Sequence, residues 1–384
     1  MAPKKVVDKL LPTTMVGSYP RPQWFKQQLL GRDVRVAFKE VQHEEAYTDA
    51  VATVIRDQEE AGLDIVTDGN MWYDDYVGVI GSFCWYLYER IPGFEHTRNP
   101  HPSVIGAGPS VGKAFLDDWG GVINNGPVDK AGHALRWTDL FQVAQTHAHK
   151  PVKVSIGAGP ANLAWHVYFN EKSHYKSAKD LTFALCPLFN QEMKDLVKLG
   201  AKYFQIEDLG AWLPLFSGNK KEDYAWVRES IERMTDGVDA KIGWHFCFGN
   251  AWGNDIISAN FPEGYQTVLP HFFGTAGVDE FVLDYANRHM DGVDFLKNLP
   301  ANQGIQLGVL DIRTNAIETP AVIADRIRLA LKHILAEKIT LSSDCGMKPL
   351  SRMVAKMKLG ALVEGPTSSA KKLRASKRGR RWQK

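Results

Sequence analysis

Short runs of β-branched and aromatic residues alternate along the chain with longer stretches whose apolar residues recur at helical spacing. Eight short runs read as strands: Thr13-Thr14-Met15-Val16, Asp64 to Thr67, Val152 to Ile156, Tyr203 to Ile206, Ala240 to Gly243, Phe281 to Leu283, Ile305 to Leu310 and Ile339 to Ser342. Helical patterns lie between them, at about Glu40 to Glu60, Asp180 to Leu199, Tyr224 to Thr235 and Pro320 to Leu335. The last has Thr319 as N-cap and Pro320 at the first helical position, where the missing N–H costs nothing. Strands alternating with helices imply parallel pairing, and eight such units predict an α/β fold of the TIM (β/α)8 type. The competing architecture, an open doubly wound sheet, predicts a G-x-G-x-x-G turn after an early strand, and none occurs in that context.

A length of 384 residues admits two or three domains, but a barrel of this kind uses 250 residues or more as one unit. The expected organisation is a single barrel over residues 1–370 and a disordered basic tail over 371–384. A long segment at 76–150, rich in Gly, Pro, Trp and His, separates the second and third strand candidates. It reads as an insertion covering the C-terminal mouth, because loops of that length are usually substrate covers. Trp72, Tyr73, Tyr76, Trp85 and Tyr86 at its start read first as packing residues of that cover.

The 44% hydrophobic and 11% aromatic content excludes a disordered or low-complexity chain. The net charge of +2 hides an asymmetry: Lys371 to Lys384 hold eight Lys/Arg and no acid, leaving 38 basic against 44 acidic residues elsewhere. An acidic body argues against nucleic-acid binding as the main function. No run reaches 18 apolar residues, so no membrane span is expected. The N-terminus lacks the pattern of a signal peptide, which makes a cytoplasmic protein with reduced thiols the expectation, and a homo-oligomer is compatible with it. Four cysteines are too few and too scattered for a disulfide scaffold. Cys84 and Cys186 sit in apolar runs and read as buried hydrophobes.

In a barrel of this type the strand C-termini carry the chemistry. That rule selects Gly17-Ser18-Tyr19, Asp68-Gly69-Asn70, Glu207-Asp208, His245-Phe246-Cys247, Asp284, Asp311 and Asp344-Cys345. His245 and Cys247, two apart at a strand end, project to the same side. With Cys345 they form one imidazole and two thiols, a set suited to Zn²⁺ with a fourth position left for substrate. Zinc would hold both thiols as thiolates and ionise a substrate thiol at neutral pH.

These residues resemble the catalytic half of cobalamin-independent methionine synthase and its single-barrel relatives, among them epoxyalkane:coenzyme M transferase. The resemblance runs from the Val16-Gly17-Ser18-Tyr19-Pro20 opening to Ser343-Asp344-Cys345-Gly346. It includes Val66-Thr67-Asp68-Gly69, Gly159-Pro160 leading to Trp165, and Gly308-Val309-Leu310-Asp311. It implies zinc on His245, Cys247 and Cys345 and a thiol-substrate contact at Gly17-Ser18. It also implies a metal-side acid at Asp284, either a fourth ligand or a holder of Asn287 or Arg288.

The departures from that pattern bear on substrate. Asn70 stands where the methionine synthases have a glutamate, and Glu207-Asp208-Leu209 replaces Asp-Glu-Pro. Asp311-Ile312-Arg313 replaces Asp-Ile-His, and arginine is no proton donor near neutral pH. Arg313 suits an anionic group or an ion pair with Asp311 or Asp284. The expectation is a zinc-dependent transfer of a methyl or small alkyl group from a small donor to a small-molecule thiol. Ser18 with Glu207 or Asp208 would orient the acceptor, and Trp165 with Arg313 would shape the donor site. The alternatives are an epoxide-opening thiol transferase, a metal-free decarboxylase or lyase on the same barrel, and a non-catalytic relative with structural zinc.

Overall fold

The computed structural model describes residues 3–25, 40–72, 84, 86–97, 121–129, 135–207, 209–216, 220–248, 250–251, 254–255 and 264–379. Two short antiparallel pairs lie outside the main sheet, β1 (Phe94–Thr97) with β2 (Gly121–Asn124) and β6 (Asn250–Ala251) with β7 (Asn254–Asp255). The main sheet contains β3 (Val154–Ala158), β4 (Tyr203–Glu207), β5 (Lys241–Phe246), β8 (Glu280–Leu283), β9 (Gly304–Leu310) and β10 (Ile339–Ser343). Its order is β10-β9-β8-β5-β4-β3, parallel throughout.

The first two strand candidates close this sheet into a barrel. Thr13 bridges Leu341 in parallel, Val66 bridges Val152 in parallel, and the Ile65 N–H donates to the Thr13 carbonyl at 3.1 Å. Each of these two segments makes a single bridge rather than a ladder. Pro12 and Pro151 accept from Leu341 and Val66, at 2.8 and 3.0 Å, but have no N–H to return. The expected (β/α)8 barrel is therefore present, with two abbreviated staves.

The helices Glu40–Ala61, Ala178–Lys198, Lys220–Thr235, Pro320–Ala330 and Arg352–Gly379 form the outer layer. Ala178–Lys198 buries Leu181, Leu185, Phe189, Met193 and Leu196, a stripe at helical spacing, and Ser177 caps it by accepting from the Asp180 N–H at 3.1 Å. Thr319 caps Pro320–Ala330 by accepting from the Val322 N–H, as the sequence predicts, although this helix stops short of Leu335. The final helix runs to Gly379, so the basic stretch expected to be a disordered tail begins as helix backbone.

Part of the segment 76–150 lies outside the described residues, including Tyr76 and Trp85, as does Tyr73 just before it. Its later part joins the barrel wall: the helix Trp137–His147 buries Trp137, Phe141 and Ala144 against Glu40–Ala61 and Ala178–Lys198. The β1–β2 pair stands beside the connection that follows β3, where Val122 bridges Val167. Among the described residues no helix is long and apolar enough to cross a membrane.

Candidate active site

Strand β5 extends past the expected Gly243 to Phe246, which brings His245 into the sheet itself. The parallel register sets His245 directly against Glu207 of β4. The Glu207 carboxylate accepts from His245 Nδ1 through Oε2, and its Oε1 accepts from Gln205 Nε2 at 2.5 Å. His245 Nε2 is buried and has no hydrogen-bond partner among the described residues. Burial opposes charge on the imidazole, but the Glu207 carboxylate outweighs it and holds His245 up at about 9. Glu207 is correspondingly below the usual carboxylate range: burial opposes this, and His245, Gln205 and Lys153 overcome it.

Cys247 follows β5 and Cys345 follows β10. Their sulfurs are 3.8 Å apart, and the ligand atoms of His245, Cys247 and Cys345 all lie within 4.8 Å of one another. The Cys345 thiol, then burial, pushes the Cys247 thiol well above its ordinary value. The trio expected from the sequence is therefore assembled, at the C-terminal mouth of the barrel. One imidazole nitrogen that is buried without a partner and two adjacent thiols fit a small, borderline-soft metal ion.

The turn that carries Cys345 is fixed from both sides. Ser343 Oγ accepts from the Val16 N–H at 3.1 Å and donates to the Cys345 carbonyl at 2.9 Å. The Asp344 carboxylate accepts from the N–H groups of Tyr285, Ala286 and Asn287 at 3.0, 2.9 and 2.6 Å, tying this turn to the loop after β8. Gly308 leaves the room Asp344 occupies, since a Cβ there would overlap Asp344 Oδ1. Gly346 meets Ser18 in the same way, and the Met347 N–H donates to the Ser18 carbonyl at 2.7 Å. Ser18 therefore lies against Gly346, next to Cys345 in the chain.

Asn70, in the left-handed region at φ 52°, joins that corner. Its amide donates to Asp68 Oδ1 and accepts from the Ser18 N–H, each at 3.3 Å. Burial pushes the Asp68 carboxyl up to about 6, against hydrogen bonds from Asn70 and Trp72. Trp72 and Tyr86 pack edge to face at 4.2 Å and are both buried, the packing role read from the sequence.

The remaining expected residues have other commitments. Asp284 is fully buried, accepts from the Tyr265 hydroxyl and from Asn287 Nδ2 at 2.9 Å, and is not one of the three clustered groups. Arg313 donates to the Asn287 carbonyl at 2.5 Å, with Nε 3.8 Å from Asp311. Trp165 ends the helix Pro160–Trp165 and stacks on His166. Asp208 lies outside the described residues. Cys84 and Cys186 are buried, as read from their apolar neighbours, and Cys186 donates to the Thr182 and Ser230 carbonyls.

Sequence reasoning passed over Lys153, Gln205, Gln306 and Tyr265 as working parts of this end of the barrel, and it selected Asp344 without its role of holding the loop after β8. For the first three a signal existed: polar residues at alternate positions of strands that are otherwise apolar.

Residues 11–367 match the family described as the catalytic domain of cobalamin-independent synthase. A methionine synthase of Saccharolobus islandicus is 31% identical over 361 residues, covering 93% of this chain and 94% of that protein. One from Sulfurisphaera tokodaii is 30% identical over 361 residues, covering 93% and 91%. Two solved structures share the fold. A B12-independent methionine synthase from Shewanella sp. W3-18-1, in complex with selenomethionine, superposes with a TM-score of 0.71 at 22% identity, over 96% of this chain and all of that one. A putative vitamin-B12-independent methionine synthase from Listeria monocytogenes gives 0.65 at 18%, over 94% and 99%. The chain is a member of the cobalamin-independent synthase catalytic-domain family.

Proposed function

We propose that this protein transfers a methyl group to a small-molecule thiol of the homocysteine type, using zinc held by His245, Cys247 and Cys345. The observation that carries this reading is the convergence of those three ligand atoms within 4.8 Å, in a chain 31% identical to a methionine synthase. The chemistry that zinc supplies, when bound, is ionisation of the acceptor thiol at neutral pH.

This chain's own groups prepare the site. Glu207 takes the Nδ1 hydrogen of His245 and so leaves Nε2 as the ligand nitrogen. Both Glu207 oxygens are thereby used, which shifts its expected role from holding the acceptor to orienting the imidazole. Ser18, Asn70 and Asp68, packed against the Cys345-Gly346 turn, orient the acceptor beside the thiols. Trp165 shapes the donor side. Residues 1–370 act as one catalytic barrel. Most of the rate gain comes from an ionised nucleophile held in line with the donor carbon.

A second reading, opening of a small epoxide by an anionic thiol, is favoured by Arg313 standing where the methionine synthases have histidine. Metal analysis with X-ray absorption, with and without homocysteine or a sulfonate thiol, separates the two. One zinc–sulfur bond gained with homocysteine supports the first, and one gained only with the sulfonate thiol supports the second. Zinc retained after Cys247→Ser, or none in the wild type, overturns both and returns the metal-free lyase reading.

A further inference from the structure

We infer that Lys153, Gln205 and Glu207 form a directional hydrogen-bond chain through the barrel interior that orients His245 for the metal, with Lys153 as the positioning residue at its origin. The inference rests on the metal reading proposed above and extends it to residues that touch neither metal nor substrate.

Lys153 immediately precedes β3 and is 1% exposed. Its ammonium has three hydrogens and no acceptor. It faces three oxygens: the Met15 carbonyl at 2.7 Å, Gln205 Oε1 at 2.5 Å and Gln306 Oε1 at 2.8 Å. Burial pulls its pKa down to about 7 and the Glu280 and Glu207 carboxylates pull back, while three acceptors at these distances favour the ammonium form.

The cation sets the polarity of the Gln205 link from below, and the Glu207 carboxylate, an acceptor only, sets it from above and accepts from the imidazole. Gln205 must turn its oxygen toward Lys153, so its amide nitrogen points up the barrel to Glu207 Oε1 at 2.5 Å. Glu207 then accepts from His245 Nδ1 through its other oxygen. The hydrogen of the neutral imidazole is thereby fixed on Nδ1, and Nε2, which is buried, keeps its lone pair for a ligand. With an apolar side chain in place of Lys153, only the Glu207 carboxylate holds the Gln205 amide in this orientation, and the amide oxygen is left buried without its cation. A half-turn of the amide would set its oxygen against the Glu207 carboxylate and reverse the chain. The cation also locks Gln306, whose amide nitrogen donates to Ser342 Oγ at 2.8 Å. One buried charge thus ties the first strand segment, β4 and β9 together beneath the site.

The test compares wild type with Lys153→Met, Gln205→Met and the double variant. The readouts are zinc affinity by chelator competition, the visible ligand-field spectrum of the cobalt-loaded protein, and thermal melting. Each single change is expected to weaken zinc about 10- to 100-fold and to shift the cobalt bands, as loss of a group behind a ligand does. The double variant is expected to bind no more weakly than the worse single, because the chain works as a unit. Removing the buried cation leaves the Met15, Gln205 and Gln306 oxygens without their donor, so a merely structural role would lower melting without altering affinity. Wild-type affinity and an unchanged cobalt spectrum in Lys153→Met, or single losses that multiply in the double, overturn the inference while leaving the metal reading intact. If Lys153→Met does not fold, Gln205→Met decides alone, since it keeps the buried cation on the Met15 and Gln306 oxygens and breaks the chain at its middle link. A wild type that binds no zinc overturns the metal reading first.

Discussion

Glu207 and His245 face each other across adjacent parallel strands, and the carboxylate accepts from the Nδ1 of the imidazole. In the metal-free protein His245 is buried, Glu207 is partly buried, and both are held in their charged forms, His245 up at about 9 and Glu207 below the usual carboxylate range. A raised imidazole pKa adds stability that is complete below its ordinary value of 6.5 and is lost as pH climbs through about 9. Metal-free protein should therefore melt at progressively lower temperature between those limits. Glu207→Gln should flatten the slope, and an unchanged slope in that variant would show that another group carries it.

Metal loading should be proton-coupled. Neither His245 nor Cys247 gives up its proton readily in the metal-free site, because Glu207 favours the imidazolium and Cys345 and burial disfavour the thiolate. Zinc binding near neutral pH should displace a proton from each, so apparent affinity should rise steeply with pH. Calorimetric titration in buffers of different ionisation enthalpy counts those protons, and a buffer-independent heat would contradict the expectation.

Gly308 tests how the Cys345 turn is held. A methyl group there would overlap Asp344 Oδ1 and lie 2.9 Å from the Leu283 carbonyl, and Asp344 is the anchor of the loop Tyr285 to Asn287. Gly308→Ala should cost about 1–3 kcal/mol in chemical denaturation, the usual range for overpacking. It should also weaken metal binding, although no ligand is changed.

The cysteines should divide by role. Cys186→Ala removes a buried sulfur bonded to the Thr182 and Ser230 carbonyls of two outer helices, so it should cost about 1 kcal/mol of stability and leave metal stoichiometry as in wild type. Cys345→Ala should abolish stoichiometric metal while changing the melting of the metal-free protein little. Parallel metal analysis and denaturation of the two variants read both quantities.

The chain itself determined the alternation of strands and helices, the barrel, and the three residues of the proposed metal site. Those depend on local patterns: apolar periodicity, a Pro at a helix start, His and Cys two apart at a strand end, and Cys345 in a polar turn. Only the tertiary structure decided what stands beside each of them. It turned Glu207 toward His245, gave Asp284 to Tyr265 and Asn287, gave Arg313 to Asp311 and the Asn287 carbonyl, and brought Lys153 to Gln205. A period of two tells which residues of a strand share a face, and so marks Lys153, Gln205 and Gln306 as polar positions in buried strands. Partners are set by the register between strands distant in sequence, 153 residues apart for Lys153 and Gln306, and by barrel closure. Neither leaves a trace in local pattern, because closure depends on all eight staves packing at once.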